Sequence, residues 1–187
     1  MKKAYIIHGC LEDDEYLNEE NPSPSNADWF PWLQKQLLLK EYLCQTPEMP
    51  SPHRPDYGAW KAAFSCPLDE QTTLVAHSCG GGFVLRLLGE TRTRIGRLVL
   101  VAPWLDLSRA RGAFLDFRLD PSLPERVQDM HFVYALDDPV DEVRQSVSLL
   151  RATYPRAIVH AFKSGGHFSA KELGSDRFPA LLEIVTK

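Results

Sequence analysis

The sequence has no excess of positive charge. Its 21 Lys and Arg stand against 25 Asp and Glu, for a formal net charge of -4 and a pI near 5.9, so there is no electrostatic footprint for a phosphate backbone and nucleic-acid binding is disfavoured. It also lacks any uninterrupted apolar run approaching the roughly 20 residues that a membrane-spanning helix needs, so a soluble protein without a membrane anchor is expected. Lys2-Lys3 followed by apolar residues 4–7 has the beginnings of an export signal, but His8-Gly9 and the acidic run Glu12-Asp13-Asp14-Glu15 cut it short. Cysteine is scarce. Cys10, Cys44, Cys66 and Cys79 show no C-x-x-C spacing, and reduced thiols in a cytoplasmic protein are expected. The six histidines are scattered, without H-x-H or H-E-x-x-H, so no metal site is assigned.

What is present is an ordinary globular composition, 44% hydrophobic over 187 residues, enough for one domain (1–187) with a full core. Short β-prone runs alternate with helical periodicity. Strands are expected at residues 3–7, 42–45, 72–76, 97–102, 131–135 and 157–161. The run at 97–102 is continuously apolar, as in strands buried on both faces of a parallel sheet. Helices are expected from about 26–28 to 40, and at 56–64, 80–88, 140–154 and 178–185. Residues 11–27 are acidic and then rich in Pro, Ser and Asn, which favours a mobile loop; residues 104–124 lack steady periodicity and read as an excursion over the carboxyl edge of the sheet. The alternation argues for an α/β sheet with right-handed crossovers.

Ligand chemistry in open α/β sheets gathers at the carboxyl ends of the strands. The third strand runs into Ala76-His77-Ser78-Cys79-Gly80, which matches a nucleophile elbow with Ala in place of the first Gly. The fifth ends in Leu136-Asp137-Asp138-Pro139 and the sixth is followed by Gly165-Gly166-His167-Phe168, giving the order Ser, Asp, His found in α/β-hydrolases. A serine hydroxyl needs an imidazole to take its proton, and the imidazole needs a carboxylate to fix its tautomer. Ser78, Asp138 and His167 are therefore the candidate nucleophile, acid and base. Asp138 is preferred to Asp137 because it directly precedes the fixed turn of Pro139, and Asp106 is a lesser alternative. His77 is set aside because adjacent side chains diverge, and His131 and His160 lie within strands. Cys79 is a rival nucleophile that sterics oppose, since His77 would then occupy the small-residue position. Oxyanion donors are expected from the backbone N–H groups of Cys79 and of Cys10, or alternatively Leu11.

These residues resemble the small serine hydrolases typified by retinoblastoma-binding protein 9, which are minimal α/β-hydrolases. Trp29-Phe30-Pro31-Trp32, Met49-Pro50-Ser51-Pro52 leading to Trp60, and Leu98-Val99-Leu100-Val101 add to the match, which covers nearly the whole chain. The resemblance implies a three-layer α/β/α sandwich with a mostly or wholly parallel six-stranded sheet of order 2-1-3-4-5-6, the same three site residues, and no cofactor. The expected activity is hydrolysis of small esters or amides through an acyl-enzyme on Ser78. Two alternatives stand beside it: a binding module that kept the fold while turnover faded, docking a basic protein partner on the acidic loop 11–25, and an acyltransferase that passes the acyl group to an alcohol or amine.

Overall fold

The computed structural model describes residues 2–187. Six strands, β1 (Lys3–Ile7), β2 (Leu43–Gln45), β3 (Thr72–His77), β4 (Ile95–Val101), β5 (Val127–Ala135) and β6 (Ile158–Phe162), form one sheet of order β2-β1-β3-β4-β5-β6. Every pairing is parallel. Successive strand side chains point to opposite faces, and both faces are covered. Tyr5, Ile7, Leu74, Ala76, Leu98, Leu100 and Phe132 pack on one side with Trp60 of α3 (Tyr57–Ala63) and with Phe83 and Leu87 of α4 (Cys79–Thr91). Ala4, Ile6, Val75, Val99, Val101 and Val133 pack on the other with Leu33 and Leu37 of α2 (Phe30–Leu39) and Leu181 and Val185 of α7 (Pro179–Thr186). The buried side chains of α5 (Asp141–Thr153) are shared between the two cores near the β6 edge. Among the described residues no helix is long and apolar enough to cross a membrane.

The expected elements form with boundaries that shift for local reasons. Asp56 caps α3 by accepting the Ala59 amide at 2.7 Å, and Pro31 and Pro179 sit in the first turns of α2 and α7, where a missing N–H costs nothing. The α4 helix extends three residues past the expected stop and ends at Arg92, whose left-handed φ of 58° closes it. The β5 strand begins four residues before its apolar stretch, because Val127 pairs with Ile95 and the ladder binds backbone whatever the exposed Gln128 and Asp129 carry.

The acidic segment departs further from expectation. Residues 11–27 contain a short helix α1 (Asp13–Tyr16) and a 3₁₀ turn at Pro24–Asn26, so the segment is more structured than a loop. Arg111 pairs with Glu12, Arg54 with Asp13 at 2.8 Å, and the Tyr16 ring stacks on His53. Another short helix, α6 (Ala170–Leu173), arises from a capping box in which Ser169 and Glu172 serve each other's backbone amides. Residues 104–122 stay irregular, as expected, before a 3₁₀ turn at Leu123–Glu125.

Strand order reverses between β1 and β3, since the chain leaves β1 toward β2 on one side and returns to β3 on the other. The crevice beyond the carboxyl ends of those two strands is where such sheets place ligands. It is closed at its base by Gly80, where a Cβ would lie 2.3 Å from the His8 carbonyl oxygen. Gly80→Ala should therefore lower unfolding free energy by about 1–3 kcal/mol through overpacking. Gly89→Ala, in the same helix and with its Cβ in ordinary contact at 3.7 Å, should raise it by about 0.5–1 kcal/mol. Urea unfolding of the two variants, expected to move in opposite directions, checks both.

Candidate active site

The turn between β3 and α4 holds Ser78 at φ 54° and ψ -127°, a backbone conformation that a side-chain-bearing residue rarely adopts. Its surroundings hold it there. The Ser78 amide donates to Val101 O at 2.9 Å, and the Ser78 carbonyl accepts from the Gly81 amide at 2.9 Å and the Trp104 amide at 3.1 Å. Buried Ala76 and Gly80 flank the turn at the two small-residue positions. On the other side of the crevice Gly9 comes so close that a Cβ there would lie 2.9 Å from Ser78 Cβ. The serine hydroxyl thus stands at the base of a cavity of about 540 Å³ that His8, Cys10, Leu11, Phe30 and His167 also line.

The chain after β6 brings His167 to the same cavity. Gly165 and Gly166 have φ values of 146° and 55°, which turn the loop sharply over the sheet. His167 Nδ1 lies 3.0 Å from Asp138 Oδ2 and 3.2 Å from Oδ1. The Asp138 side chain is 0% exposed, and its Oδ1 also accepts the Val140 amide at 2.8 Å across Pro139. A carboxylate accepts only, so His167 donates its Nδ1–H to Asp138 and leaves Nε2 on the other side of the ring. Among the described residues Ser78 Oγ makes no side-chain hydrogen bond, to His167 or to any other group. Such contacts are commonly long in the free state of an enzyme and tighten when substrate binds.

The structure separates the two adjacent aspartates by task. Asp137 does not touch the imidazole. Its carboxylate accepts the Gly166 amide at 2.9 Å and the Gly165 amide at 3.3 Å, and so holds the loop that carries His167. Asp106 is elsewhere: buried, it accepts the Ala110 and Arg111 amides and closes a turn of the irregular segment. His131 and His160 pair with each other at 3.0 Å on neighbouring strands.

Several residues outside the expected site hold this loop. His77 Nε2–H donates to the His167 carbonyl at 2.8 Å, and Trp29 Nε1–H donates to the Phe168 carbonyl at 3.0 Å. Glu172 accepts the His167 amide at 2.9 Å. On the opposite wall His8 donates from Nδ1 to Gly9 O at 2.8 Å and accepts the Met49 amide on Nε2 at 2.9 Å, which fixes the residues after β1. Side-chain type does not signal these roles, because every partner is a backbone atom, and for His8 Nε2, His77 and Trp29 it lies 41, 90 and 139 positions away.

The expectation of reduced thiols is overturned for two of the four cysteines. Cys10 and Cys79 form a disulfide, their Cα atoms 5.8 Å apart across 69 positions of sequence, so these two thiols are not free. The spacing hid the pair because the fold, and not the local chain, brings the end of β1 beside the start of α4. The bond also removes Cys79 as a rival nucleophile, since its sulfur is already bonded. Cys44 and Cys66 are free, and burial pushes the Cys44 thiol up to about 12. Of the expected oxyanion donors, the Leu11 amide is occupied by Pro52 O at 3.3 Å. The Cys79 amide, at the first position of α4, has no i-4 helical carbonyl to serve. Among the described residues no group of three or more His, Cys, Asp or Glu side chains is arranged to hold a metal ion.

Comparison with known proteins agrees with this architecture. A family model described as serine hydrolase matches residues 21–187. The hydrolase-family protein YdeN of Bacillus subtilis (strain 168) is 29% identical over 198 aligned positions, spanning 99% of this chain and 95% of YdeN. The crystal structure of the ydeN gene product superposes with a TM-score of 0.83 at 28% identity, covering 100% of this chain and 97% of that one. Est1E of Butyrivibrio proteoclasticus has a TM-score of 0.64 at 15% identity over 98% of this chain and 85% of its own, a likeness of fold.

The buried histidines make the fold sensitive to acid. Burial, and then the neighbouring His167, lowers His77 from 6.5 to about 3, and burial followed by Arg97 lowers His131 to about 4. The folded chain therefore refuses protons that the unfolded chain accepts below pH 6.5. Their contribution is constant above that value, and stability falls as pH drops below it, by about 1.4 kcal/mol per pH unit for each group, until the folded group itself titrates. Urea unfolding between pH 7 and pH 4 should show this decline, and His77→Gln, whose amide can still donate to the His167 carbonyl, should flatten it by about one proton's worth.

Proposed function

Because the chain belongs to the serine hydrolase family, we propose that it hydrolyses small esters or amides through an acyl-enzyme on Ser78, with His167 as base and Asp138 as the group that orients it. The observation that carries this reading is the delivery of His167, paired with the buried Asp138, to the cavity at whose base Ser78 is held at φ 54°. His167 Nε2 takes the Ser78 proton as Oγ attacks the substrate carbonyl. Asp138 stabilises the imidazolium that results and keeps the ring in the tautomer that can accept. The tetrahedral oxyanion is received by the Cys79 amide at the start of α4 and the Cys10 amide on the facing loop, donors that act before any reorganisation. His167 then returns the proton to the leaving alcohol or amine. In the second half it activates water to release the acid and regenerate Ser78.

The cavity is consistent with a modest acyl or alcohol group. Pro22, Pro24, Ala27 and Phe30 supply apolar wall, and Glu15, Asp28 and Lys171 add charged groups to the lining. Loop 11–25, the docking surface for a basic partner in the binding-module alternative, contributes Pro22 and Pro24 to this wall, and its Glu12 and Asp13 pair with Arg111 and Arg54. The finer kinship to retinoblastoma-binding protein 9 belongs to the same proposal, on the elbow, Asp-Asp-Pro and Gly-Gly-His-Phe segments. Cytoplasmic placement does too; it rests on the sequence, without the reduced Cys10 and Cys79 thiols that first supported it.

A fluorophosphonate probe should label the wild-type chain and fail to label Ser78→Ala; labelling that persists in the variant would move the nucleophile elsewhere. With 4-nitrophenyl acetate as substrate, Asp138→Asn should lose about 10³–10⁴-fold in kcat. Asp137→Asn, which loosens the loop without touching the ring, should lose roughly tenfold to a hundredfold, at the level of a misplaced group. Equal losses in the two variants would overturn the assignment of Asp138.

A further inference from the structure

The two residues whose amides form the proposed oxyanion hole are the two that the disulfide joins. Cys10 follows the last residues of β1, Cys79 opens α4, and the ladder between β1 and β3 ends below them at Ile7 and Ala76. Among the described residues no backbone hydrogen bond connects residues 8–11 to residues 78–81. The elbow side is rigid in itself, fixed by Val101, Gly81 and Trp104. The facing loop is tied to other partners: His8 to Met49, the Leu11 amide to Pro52, and the Leu11 carbonyl to Arg111. The disulfide is thus the covalent tie between the two donor residues, added to the packing of Gly9 on Ser78 and of Gly80 under the His8 carbonyl.

We propose that the Cys10–Cys79 disulfide positions the oxyanion hole, so that turnover depends on the thiol state of this pair. The inference rests on the serine hydrolase reading above. Access supports it. Cys10 is half-buried and lines the cavity, whereas Cys79 is fully buried. A small dithiol entering the cavity therefore meets Cys10 Sγ first. Its thiolate bonds to that sulfur as the Cys10–Cys79 bond breaks, and the electron pair leaves on Cys79, at the N-terminus of a 13-residue helix that favours negative charge. The second thiol of the reagent then displaces Cys10. The dithiol ends as a cyclic disulfide, oxidised by two electrons, and its two protons end on Cys10 and Cys79. In a reducing compartment a bond of this kind cycles, whereas an oxidising one keeps it closed.

A purely structural staple would act on folding, while a positioning bond acts on the transition state. Oxyanion donors bind charge that develops after substrate is bound, so their displacement lowers kcat with little effect on KM. The experiment compares the oxidised wild-type chain with the same chain reduced by dithiothreitol. Thiols are counted, near-UV circular dichroism is recorded, and 4-nitrophenyl acetate turnover and fluorophosphonate labelling of Ser78 are measured. The expected result is a fall in kcat of about tenfold or more, within the range set by loss or misplacement of a donor. KM should change less than about threefold, the near-UV spectrum should be retained, and reoxidation should restore activity. The double variant C10A/C79A should show the reduced chain's kcat and no response to dithiothreitol. Two additional thiols with kcat unchanged would overturn the proposal, as would a KM rise at constant kcat. A loss of activity that tracks loss of the near-UV spectrum would overturn it too, and assign the bond to folding alone. If the oxidised wild-type chain neither labels nor turns over ester, the serine hydrolase reading falls and this inference with it; full labelling and turnover that reduction leaves unchanged removes this inference only.

Discussion

The structure depends on one close approach, that of the Gly80 backbone to the His8 carbonyl beneath Ser78. With a Cβ that would come to 2.3 Å from that oxygen, no side chain fits between the start of α4 and the end of β1. The helix can therefore leave β3 in a turn sharp enough to hold Ser78 at positive φ, and the loop after β1 can lie directly across from it. The strained serine is a local cost of order 1–3 kcal/mol. It is offset by hydrogen bonds to Val101, Gly81 and Trp104 and by the two cores that cover β3 on both faces.

From that crevice the rest of the site is built by walls that do not share sequence. One wall comes from the segment after β1, where His8 spends both ring nitrogens on backbone partners. The other comes from the loop after β6, whose backbone is gripped by Asp137, His77, Trp29 and Glu172. These are backbone-directed bonds, and each removes a freedom from the peptide that carries His167. A buried carboxylate beside an imidazole is costly unless it is hydrogen-bonded; here Asp138 has both the ring and the Val140 amide. Neutral His77 fits the same logic. With its pKa held near 3 it acts as a hydrogen-bond donor to the loop and adds no positive charge beside His167.

The chemistry of the pair Cys10 and Cys79 also changes meaning with context. As side chains they are one sulfur bridge, and as backbone they carry the two amides proposed as oxyanion donors. In that proposal the covalent link acts on the geometry of groups that are not themselves sulfur. The acidic segment is similar in having two uses: Glu12 and Asp13 form ion pairs with Arg111 and Arg54, and the prolines beyond them line the cavity.

Periodicity alone determined the alternation of strands and helices, because apolar spacing of 2 and 3.6 residues reports burial within a single element. It also determined which segments end at the carboxyl edge, and hence that Ser78, the Asp137-Asp138-Pro139 turn and His167 could share one face of the molecule. Element ends were less legible where backbone pairing overrides composition, as at Gln128 and Asp129 in β5, or where caps act through side chains, as at Ser169 and Glu172. Tertiary structure alone decided which aspartate meets the imidazole, since adjacent residues differ only in the direction their side chains take. It alone revealed that Trp29 and His77 steady the His167 loop. It alone joined Cys10 to Cys79, because a bond across 69 positions is a property of two strands lying side by side and leaves no trace in local spacing.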